Sequence, residues 1–168
     1  MDYIKTFIIK AVALIIGILA IGYFLFYLPY TIGMSNKPLI HWNASIFRYI
    51  AFVPLVFGVV ISSKCMLDFL IKGHGTPTPI DHPKQLIVTG FYRYSRNPMY
   101  IGVVLILLGY SMWFLSLRLI AYTGAIFFVI HMFIVLYEEP LLKQRFGESY
   151  IKYCQQVPRW ILRINIKK

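Results

Sequence analysis

Two polar clusters beside apolar stretches hold most of the side chains that could do chemistry in this chain. The first lies in GFYRYSRNPMYIG, residues 90–102, where Arg93 and Arg96 border a long apolar run. The second is the acid pair Glu138 and Glu139, which directly follows another apolar run. Guanidinium groups bind carboxylates and phosphates through paired hydrogen bonds, and carboxylates bind cations and hydroxyl groups. The clusters therefore indicate either charges at a membrane surface or a polar binding site there.

The acid pair is the more informative of the two clusters. At the carboxyl end of an apolar helix, Glu138 and Glu139 oppose both the helix dipole and the surrounding positive charge. Such a placement suggests a cationic partner, which Arg93, Arg96 or a bound ligand could supply. In isolation, however, Arg93 and Arg96 are typical of the basic loops that flank membrane helices.

Four apolar blocks must position these clusters, and they span residues 11–30, 49–63, 98–117 and 119–137. The chain is 59% hydrophobic and 17% aromatic, more than is usual in a soluble domain. About 20 apolar residues are needed to cross the hydrocarbon core of a membrane. Three blocks meet this length and the second is the weakest. The sequence predicts an all-α integral membrane protein, a bundle of about four transmembrane helices with a cytoplasmic cofactor pocket.

The connections between the blocks refine this expectation. Only Arg118 and its neighbours separate the last two blocks, so they should form a tight helical hairpin. After the acid pair, apolar residues recur at helical spacing, which predicts a C-terminal amphipathic helix that ends at Pro158. The residues of its apolar face are Leu142, Phe146, Tyr150, Tyr153 and Val157. A fifth short or re-entrant segment over Leu86–Tyr92 is an alternative.

The distribution of basic residues predicts an orientation. All of the 17 lysines and arginines except Lys37, Arg48 and Arg118 would lie on one side of the four-helix arrangement. The positive-inside rule then places both termini and the loop of residues 64–96 of this multi-pass protein in the cytoplasm. This asymmetry accounts for the net charge of +11 without a nucleic acid partner, and membrane lipids are the expected surroundings.

Neither a metal site nor a disulfide is expected. Cys65 and Cys154 would both face the reducing cytoplasm. His74 and His82 lack a third ligand at a suitable spacing. His131, within the fourth block, is either a functional intramembrane group or a histidine satisfied inside the bundle.

Two motifs, LIVTGFYRYSRNPMYIG and EEPLLKQRFGESYIKYCQQVPRW, together resemble the isoprenylcysteine carboxyl methyltransferase family. These integral membrane enzymes use S-adenosylmethionine and are similar to the phospholipid N-methyltransferases. The resemblance covers residues 73–160. We therefore expect one membrane domain, residues 1–168, made of N-terminal helices (1–72), a methyltransferase-like cofactor-binding region (73–160) and a basic interfacial tail (161–168).

The resemblance implies a cytoplasmic pocket for S-adenosylmethionine and a lipidic or prenylated acceptor, either the carboxylate of an isoprenylcysteine-like thioether or a phospholipid amine. The matching cofactor-binding residues are Lys84, Gln85, Leu86, Ile87, Tyr92, Asn97, Pro98, Met99, Tyr100 and Glu138. Arg93, Arg96 and Glu139 are the catalytic candidates. Glu139 would help to deprotonate an amine acceptor, and the arginines would bind an acceptor carboxylate.

Two positions depart from the family pattern. The family often has histidine at the place of Asn97, and asparagine keeps the hydrogen bonds but does not titrate near neutral pH. The carboxyl methyltransferases have an arginine one helical turn before the first glutamate, where this chain has Ile134. An ionised carboxylate acceptor needs a cationic partner in a dry site, so Ile134 weakens the case for an isoprenylcysteine acceptor.

Two other functions are alternatives. Membrane sterol and enone reductases carry a related Arg-x-Pro-x-Tyr element and use NADPH. An inactive membrane scaffold would keep the fold without the activity. The acid pair followed by Phe-Gly and Val-Pro-Arg favours the methyltransferases, and the presence of Tyr100 and Glu138 argues against the scaffold.

Overall fold

The computed structural model shows a chain built from helices. It describes residues 12, 15–16, 19–35, 45–72 and 86–160. The helices are α1 (Leu19–Met34), α2 (Ser45–Ile50), α3 (Phe52–Lys72), α4 (Pro98–Phe114), α5 (Leu117–Phe133) and α6 (Glu139–Gln156). The described ranges contain no strand, which confirms the all-α prediction for them. The expectations that concern residues 73–85 and 161–168 lie outside the described residues.

Two stretches of helix are long and apolar enough to cross a membrane, Arg48–Asp68 and Leu117–Gln156. The other apolar helices, α1 and α4, are shorter. The prediction that the second block is the weakest span is wrong, because α3 continues past Ser63 to Lys72. A lysine within such a helix can extend its long side chain to water while the backbone stays in the apolar layer.

Helices α3 and α4 make the most extensive contact between helices in the described part. Gly58 and Gly102 face each other where the two helices cross. A Cβ added to Gly58 would lie 2.6 Å from the carbonyl oxygen of Gly102, and one added to Gly102 would lie 2.8 Å from the carbonyl oxygen of Gly58. Small residues allow two backbones to approach closely, which is a main source of helix association in lipid. The crossing fixes the position of the first turns of α4 relative to α3.

Helices α4 and α5 form the tight hairpin that the sequence predicts. Leu115 adopts a left-handed conformation (φ 49°) and ends α4. Ser116 caps α5, since its hydroxyl accepts a hydrogen bond from the Leu119 backbone N–H at 3.3 Å. Across the hairpin the hydroxyl oxygens of Ser111 and Thr123 lie 3.3 Å apart.

Helix α5 continues into α6 through a π-helical turn, Ile134–Glu138. The helical stretch of residues 117–156 therefore continues through the acid pair, and within α6 it is kinked at Gly147, whose φ of 53° and ψ of −129° are not helical. Pro140 lies in the first turn of α6. A proline removes one backbone donor, and the change of hydrogen-bond register in a π turn lets a helix pass such a point.

The apolar face predicted for the C-terminal helix is confirmed. Tyr150, Tyr153 and Val157 form a buried cluster, against which Leu142, Phe146 and Leu86 pack. The helix ends at Gln156, before Pro158, as the sequence predicts.

The segment before α4 is extended and then forms a short 3₁₀ turn, Gly90–Arg93. The segment Leu86–Tyr92 thus contains no α-helix, and the alternative of a fifth short or re-entrant membrane segment there stays a prediction. Gly90 has a left-handed φ of 63°, and a Cβ there would lie 2.8 Å from Oδ2 of Asp68 on α3. The close approach therefore places the turn directly beside α3.

Candidate functional site

Tyr100 and Glu138 are brought together by the fold. The Tyr100 hydroxyl donates a hydrogen bond of 3.0 Å to Oε2 of Glu138. Tyr100 lies in the first turn of α4, where Pro98 occupies an early position that suits its fixed φ. Glu138 ends the π turn between α5 and α6. Both residues are half-buried, so a polar contact joins two helices at the edge of the protein interior.

Tyr92 belongs to the same polar group. Its ring is buried, and its hydroxyl is hydrogen-bonded to the thiol of Cys65. The Glu138 carboxylate is close enough to interact with it electrostatically. Burial is the main cause that raises the pKa of Tyr92, and the neighbouring Cys65 and Glu138 add to it. Tyr92 therefore keeps its proton and presents a neutral hydroxyl group on the side of the site that faces α3.

Glu139 has a different environment from Glu138, because two guanidinium groups bind its carboxylate. Arg159 donates from Nε to Oε1 and from Nη2 to Oε2, both at 2.8 Å. Arg96 donates from Nη1 to Oε1, also at 2.8 Å. The hydrogen bond to Glu139 raises the pKa of Arg159, so this arginine remains charged. Arg93, Arg96 and a bound ligand were the alternatives for a cationic partner of the acid pair, and the structure shows Arg96 in that position.

The last described residues, 157–160, form a carboxyl-terminal hook that lies on the segment leading into α4. The backbone N–H of Arg96 donates to the carbonyl oxygen of Pro158 at 3.0 Å. The carbonyl oxygen of Arg159 accepts from Oγ of Ser95 at 3.0 Å and from Nδ2 of Asn97 at 3.2 Å. Asn97 therefore uses its amide to hold the hook.

An aromatic contact ties the hook to α5. Nε1 of Trp160 donates to Nδ1 of His131 at 3.1 Å, and its ring lies 4.9 Å from that of Phe127 between centroids. Of the two alternatives for His131, the structure favours the satisfied histidine, because a specific donor occupies Nδ1 and the ring stacks on its neighbours.

The other predicted site residues are placed as follows. Arg93 is exposed and makes no ion pair or side-chain hydrogen bond with any described residue. Ile87 and Met99 pack with Cys65 and Tyr92 beside the Tyr100–Glu138 pair. Leu86 packs on α6. Pro98 is buried at the start of α4, and Lys84 and Gln85 lie outside the described residues.

The two acids differ in what they can do chemically. Three donors occupy the two oxygens of Glu139. Glu138 accepts from Tyr100, and within the described part of the chain no lysine or arginine forms an ion pair with it. A half-buried carboxylate without a basic partner attracts a cation or a hydroxyl donor.

Sequence reasoning assigned no role to Arg159, Ser95 or Cys65. Arg159 stands in the Val-Pro-Arg motif, which was the one signal in the sequence that could have pointed to it. The Ser95 hydroxyl donates to a backbone carbonyl oxygen of the hook. Cys65 contributes to the site because its thiol is hydrogen-bonded to Tyr92. No pattern of residue types in the sequence marks contacts of these two kinds.

Comparison with known proteins gives the family. A model of the phospholipid methyltransferase family matches residues 46–149, which include α3, α4 and the acid pair. An uncharacterized protein of Haemophilus influenzae is 38% identical over 65 residues, which cover 38% of this chain and all of that protein. No solved structure matches. The chain belongs to the phospholipid methyltransferase family, which confirms the kinship that the two motifs indicate.

Proposed function

We propose that the protein is an integral membrane enzyme that uses S-adenosylmethionine to methylate a lipidic acceptor, with an amine as the preferred acceptor group. The observation that carries the proposal is the Glu138 carboxylate, bound by Tyr100, close to Tyr92 and unpaired with any basic side chain among the described residues. Family membership supports methyl transfer in a membrane protein.

The donor set around Glu138 fits the chemical groups of S-adenosylmethionine. When bound, this cofactor supplies an electrophilic methyl group on a positively charged sulfur. Glu138 suits its cationic or hydroxyl-bearing parts, and Tyr100 orients that carboxylate. Arg93, which is exposed and free of ion pairs within the described part, suits the cofactor carboxylate. Met99 and Tyr92 offer the apolar surface that excludes water from such a site.

An amine acceptor suits the charges better than a carboxylate. A carboxylate acceptor needs a cation nearby, but Arg96 and Arg159 both bind Glu139, and Arg93 is assigned to the carboxylate of the cofactor. Ile134, which stands where the carboxyl methyltransferases have an arginine, is buried and apolar. The site therefore presents negative charge, which attracts an ammonium group and repels a carboxylate.

An amine must lose a proton before it can be methylated, and we assign this proton to Glu138. Its Oε2 accepts from Tyr100, and Oε1 has two lone pairs, one for a polar group of the cofactor and one for the proton of the acceptor. The prediction that Glu139 helps to deprotonate the amine is less favoured, because two arginines bind its carboxylate. Glu139 instead holds the surrounding segments in place.

We also propose four membrane spans, with α1 and α4 as the shorter ones and both termini in the cytoplasm. The exposed basic residues of α6, among them Lys143 and Lys152, support this orientation. Cysteines introduced at Lys152 and at Tyr49, which lie at opposite ends of the arrangement, would report it. In a chain whose Cys65 and Cys154 are replaced by serine, an impermeant maleimide should label the first from the cytoplasmic side alone and the second from the other side alone. Labelling of both from one side would overturn the topology.

The experiment that tests the function is calorimetric binding to the detergent-purified protein. S-adenosylhomocysteine should bind saturably and NADPH should not. Binding of NADPH alone would favour the reductase alternative, and binding of neither would favour the inactive scaffold.

Acceptor specificity is then tested by turnover of an aminophospholipid and of an isoprenylcysteine, with S-adenosylmethionine in both assays. The amine should be methylated faster, with a rate that rises with pH as the ammonium loses its proton. A carboxylate is already ionised above about pH 5, so its methylation would show no such rise. Preferential methylation of the isoprenylcysteine would overturn the assignment of an amine.

A further inference from the structure

We infer that Arg159 is a positioning residue for the cofactor site, because it locks the segment that leads into α4 onto the start of α6 and so holds Tyr100 against Glu138. This inference rests on the proposed function. The family match ends at residue 149, so Arg159 lies outside the matched range.

Arg159 contacts both sides of the junction at once. Its guanidinium binds both oxygens of Glu139 at the start of α6, at 2.8 Å each. Its carbonyl oxygen accepts from Ser95 and Asn97, immediately before α4. One residue thus joins the two segments by four hydrogen bonds, and two of these involve ionised groups, which makes them shorter and stronger than neutral ones.

The two segments that Arg159 joins carry the two site residues. Glu139 follows Glu138 directly along the helix. Asn97 starts the helical turn that contains Tyr100, since the carbonyl oxygen of Asn97 accepts from the Ile101 backbone N–H at 3.2 Å. Because Pro98 stiffens this turn, a displacement of Asn97 moves Tyr100 with it. Arg159 thus contacts each segment within one helical turn of a site residue, near Tyr100 on one side and near Glu138 on the other. The hydrogen bond from Tyr100 to Glu138 therefore depends on the contacts of Arg159.

Arg96 cannot replace Arg159 as the residue that fixes the Glu139 carboxylate. It reaches Glu139 through Nη1 alone, and the same nitrogen also lies 2.9 Å from Sγ of Cys154. Its buried Nε has no hydrogen-bond partner among the described residues. A single shared donor leaves a carboxylate free to rotate, whereas two parallel hydrogen bonds fix its plane.

The hook has a second attachment that does not depend on charge. Trp160 packs on Phe127 and donates to His131, and the carbonyl oxygen of Arg159 belongs to the backbone. Removal of the Arg159 side chain therefore leaves the hook attached and removes only its two bonds to Glu139. The side chain can thus be tested separately from the hook.

The test measures binding of S-adenosylhomocysteine to the full chain and to Arg159→Met, which keeps an unbranched apolar side chain but lacks the guanidinium group. We expect the Kd to rise about tenfold. Arg159→Lys keeps the charge but not the two-pronged geometry, and we expect a rise of about threefold. Leu107→Ala is the control for general loss of stability, because Leu107 is buried in α4 two turns beyond Tyr100. Its Kd should stay within twofold of the unaltered chain.

A double-variant comparison distinguishes positioning from a general structural role. If Arg159 acts through the Tyr100–Glu138 contact, Arg159→Met should raise the Kd by less than twofold when Tyr100→Phe is already present. An equal rise in both backgrounds, or no rise in either, would overturn the inference. If Arg159→Met does not fold, Arg159→Lys is compared in the unaltered chain and in Tyr100→Phe. A rise in Kd that is equal in the two, or absent from both, would again overturn the inference. Absence of binding by the unaltered chain would instead overturn the proposed function.

Discussion

The hydroxyl of Tyr100 lies 3.0 Å from Oε2 of Glu138, and this contact joins the amino-terminal turn of α4 to the junction of α5 and α6. Each residue comes from one of the two motifs by which the sequence is recognised. The neighbouring acid, Glu139, is bound by arginines, whereas Glu138 is bound by a neutral phenol. The fold thus gives two adjacent glutamates two different surroundings.

Removal of the phenol or of the carboxylate should weaken cofactor binding without unfolding the protein. For Tyr100→Phe and Glu138→Gln we expect the Kd of S-adenosylhomocysteine to rise more than tenfold in calorimetry. The reason is that Tyr100→Phe removes the hydroxyl donor and Glu138→Gln replaces the charged carboxylate by a neutral amide, while each keeps the shape of the side chain. Tyr110→Phe, in the same helix, is the matched control and should bind normally. An unaltered Kd in both site variants would mean that the pocket lies elsewhere.

Loss of the Glu139 carboxylate should cost stability more than binding. Glu139→Ala leaves two guanidinium groups without their shared partner, and the side chain of Arg96 is only 13% exposed. Such a loss costs about 3–5 kcal/mol in a fully buried pair, and we expect about 2–3 kcal/mol here because Arg159 is partly exposed. Denaturant unfolding in detergent measures the change.

Glu148→Ala is the control for Glu139→Ala, since Glu148 is exposed on the same helix and makes no ion pair with the described residues. Its free energy of unfolding should change by less than about 0.5 kcal/mol. Equal losses in the two variants would show that the ion pairs of Glu139 contribute nothing specific.

A methyl group at the crossing of α3 and α4 should destabilise the protein. In Gly58→Ala the new Cβ would lie 2.6 Å from the carbonyl oxygen of Gly102, so the helices must separate. Gly124→Ala provides the comparison, because a Cβ there has no heavy atom within 4 Å. It should leave the midpoint of thermal unfolding unchanged or raise it, since alanine favours a helix by about 1 kcal/mol. The idea of a close crossing fails if Gly58→Ala is as stable as Gly124→Ala.

The hydroxyl of Tyr153 should hold the 3₁₀ turn that carries Tyr92. It donates to the carbonyl oxygen of Tyr92 at 2.7 Å in a buried contact. Tyr153→Phe removes this hydrogen bond from a buried carbonyl oxygen, which costs about 1–3 kcal/mol. Amide hydrogen exchange over residues 86–95 should become faster, whereas Tyr94→Phe, at an exposed position, should leave it unaltered. Equal exchange in the two variants would exclude a role for this hydrogen bond.

Local patterns in the sequence predict the helices, the hairpin, the apolar face of α6 and the family. These features depend on residues close in the chain, such as the recurrence from Leu142 to Val157 or the short link around Arg118. The presence of an acid pair at the end of an apolar run also indicates a cationic partner, and Arg96 is one such partner. The continuity of α5 with α6 was not predicted, because a π turn has no pattern of its own.

The sequence by itself determined which residue types gather at the site, because the motifs and the apolar blocks are local properties of the chain. Only the tertiary structure decided that Glu138 meets Tyr100 while Glu139 meets Arg96 and Arg159. Successive residues on a helix point about 100° apart, so two identical neighbours face different surroundings. Those surroundings come from α4 and from the hook at residues 157–160, and only folding brings these segments to the acid pair.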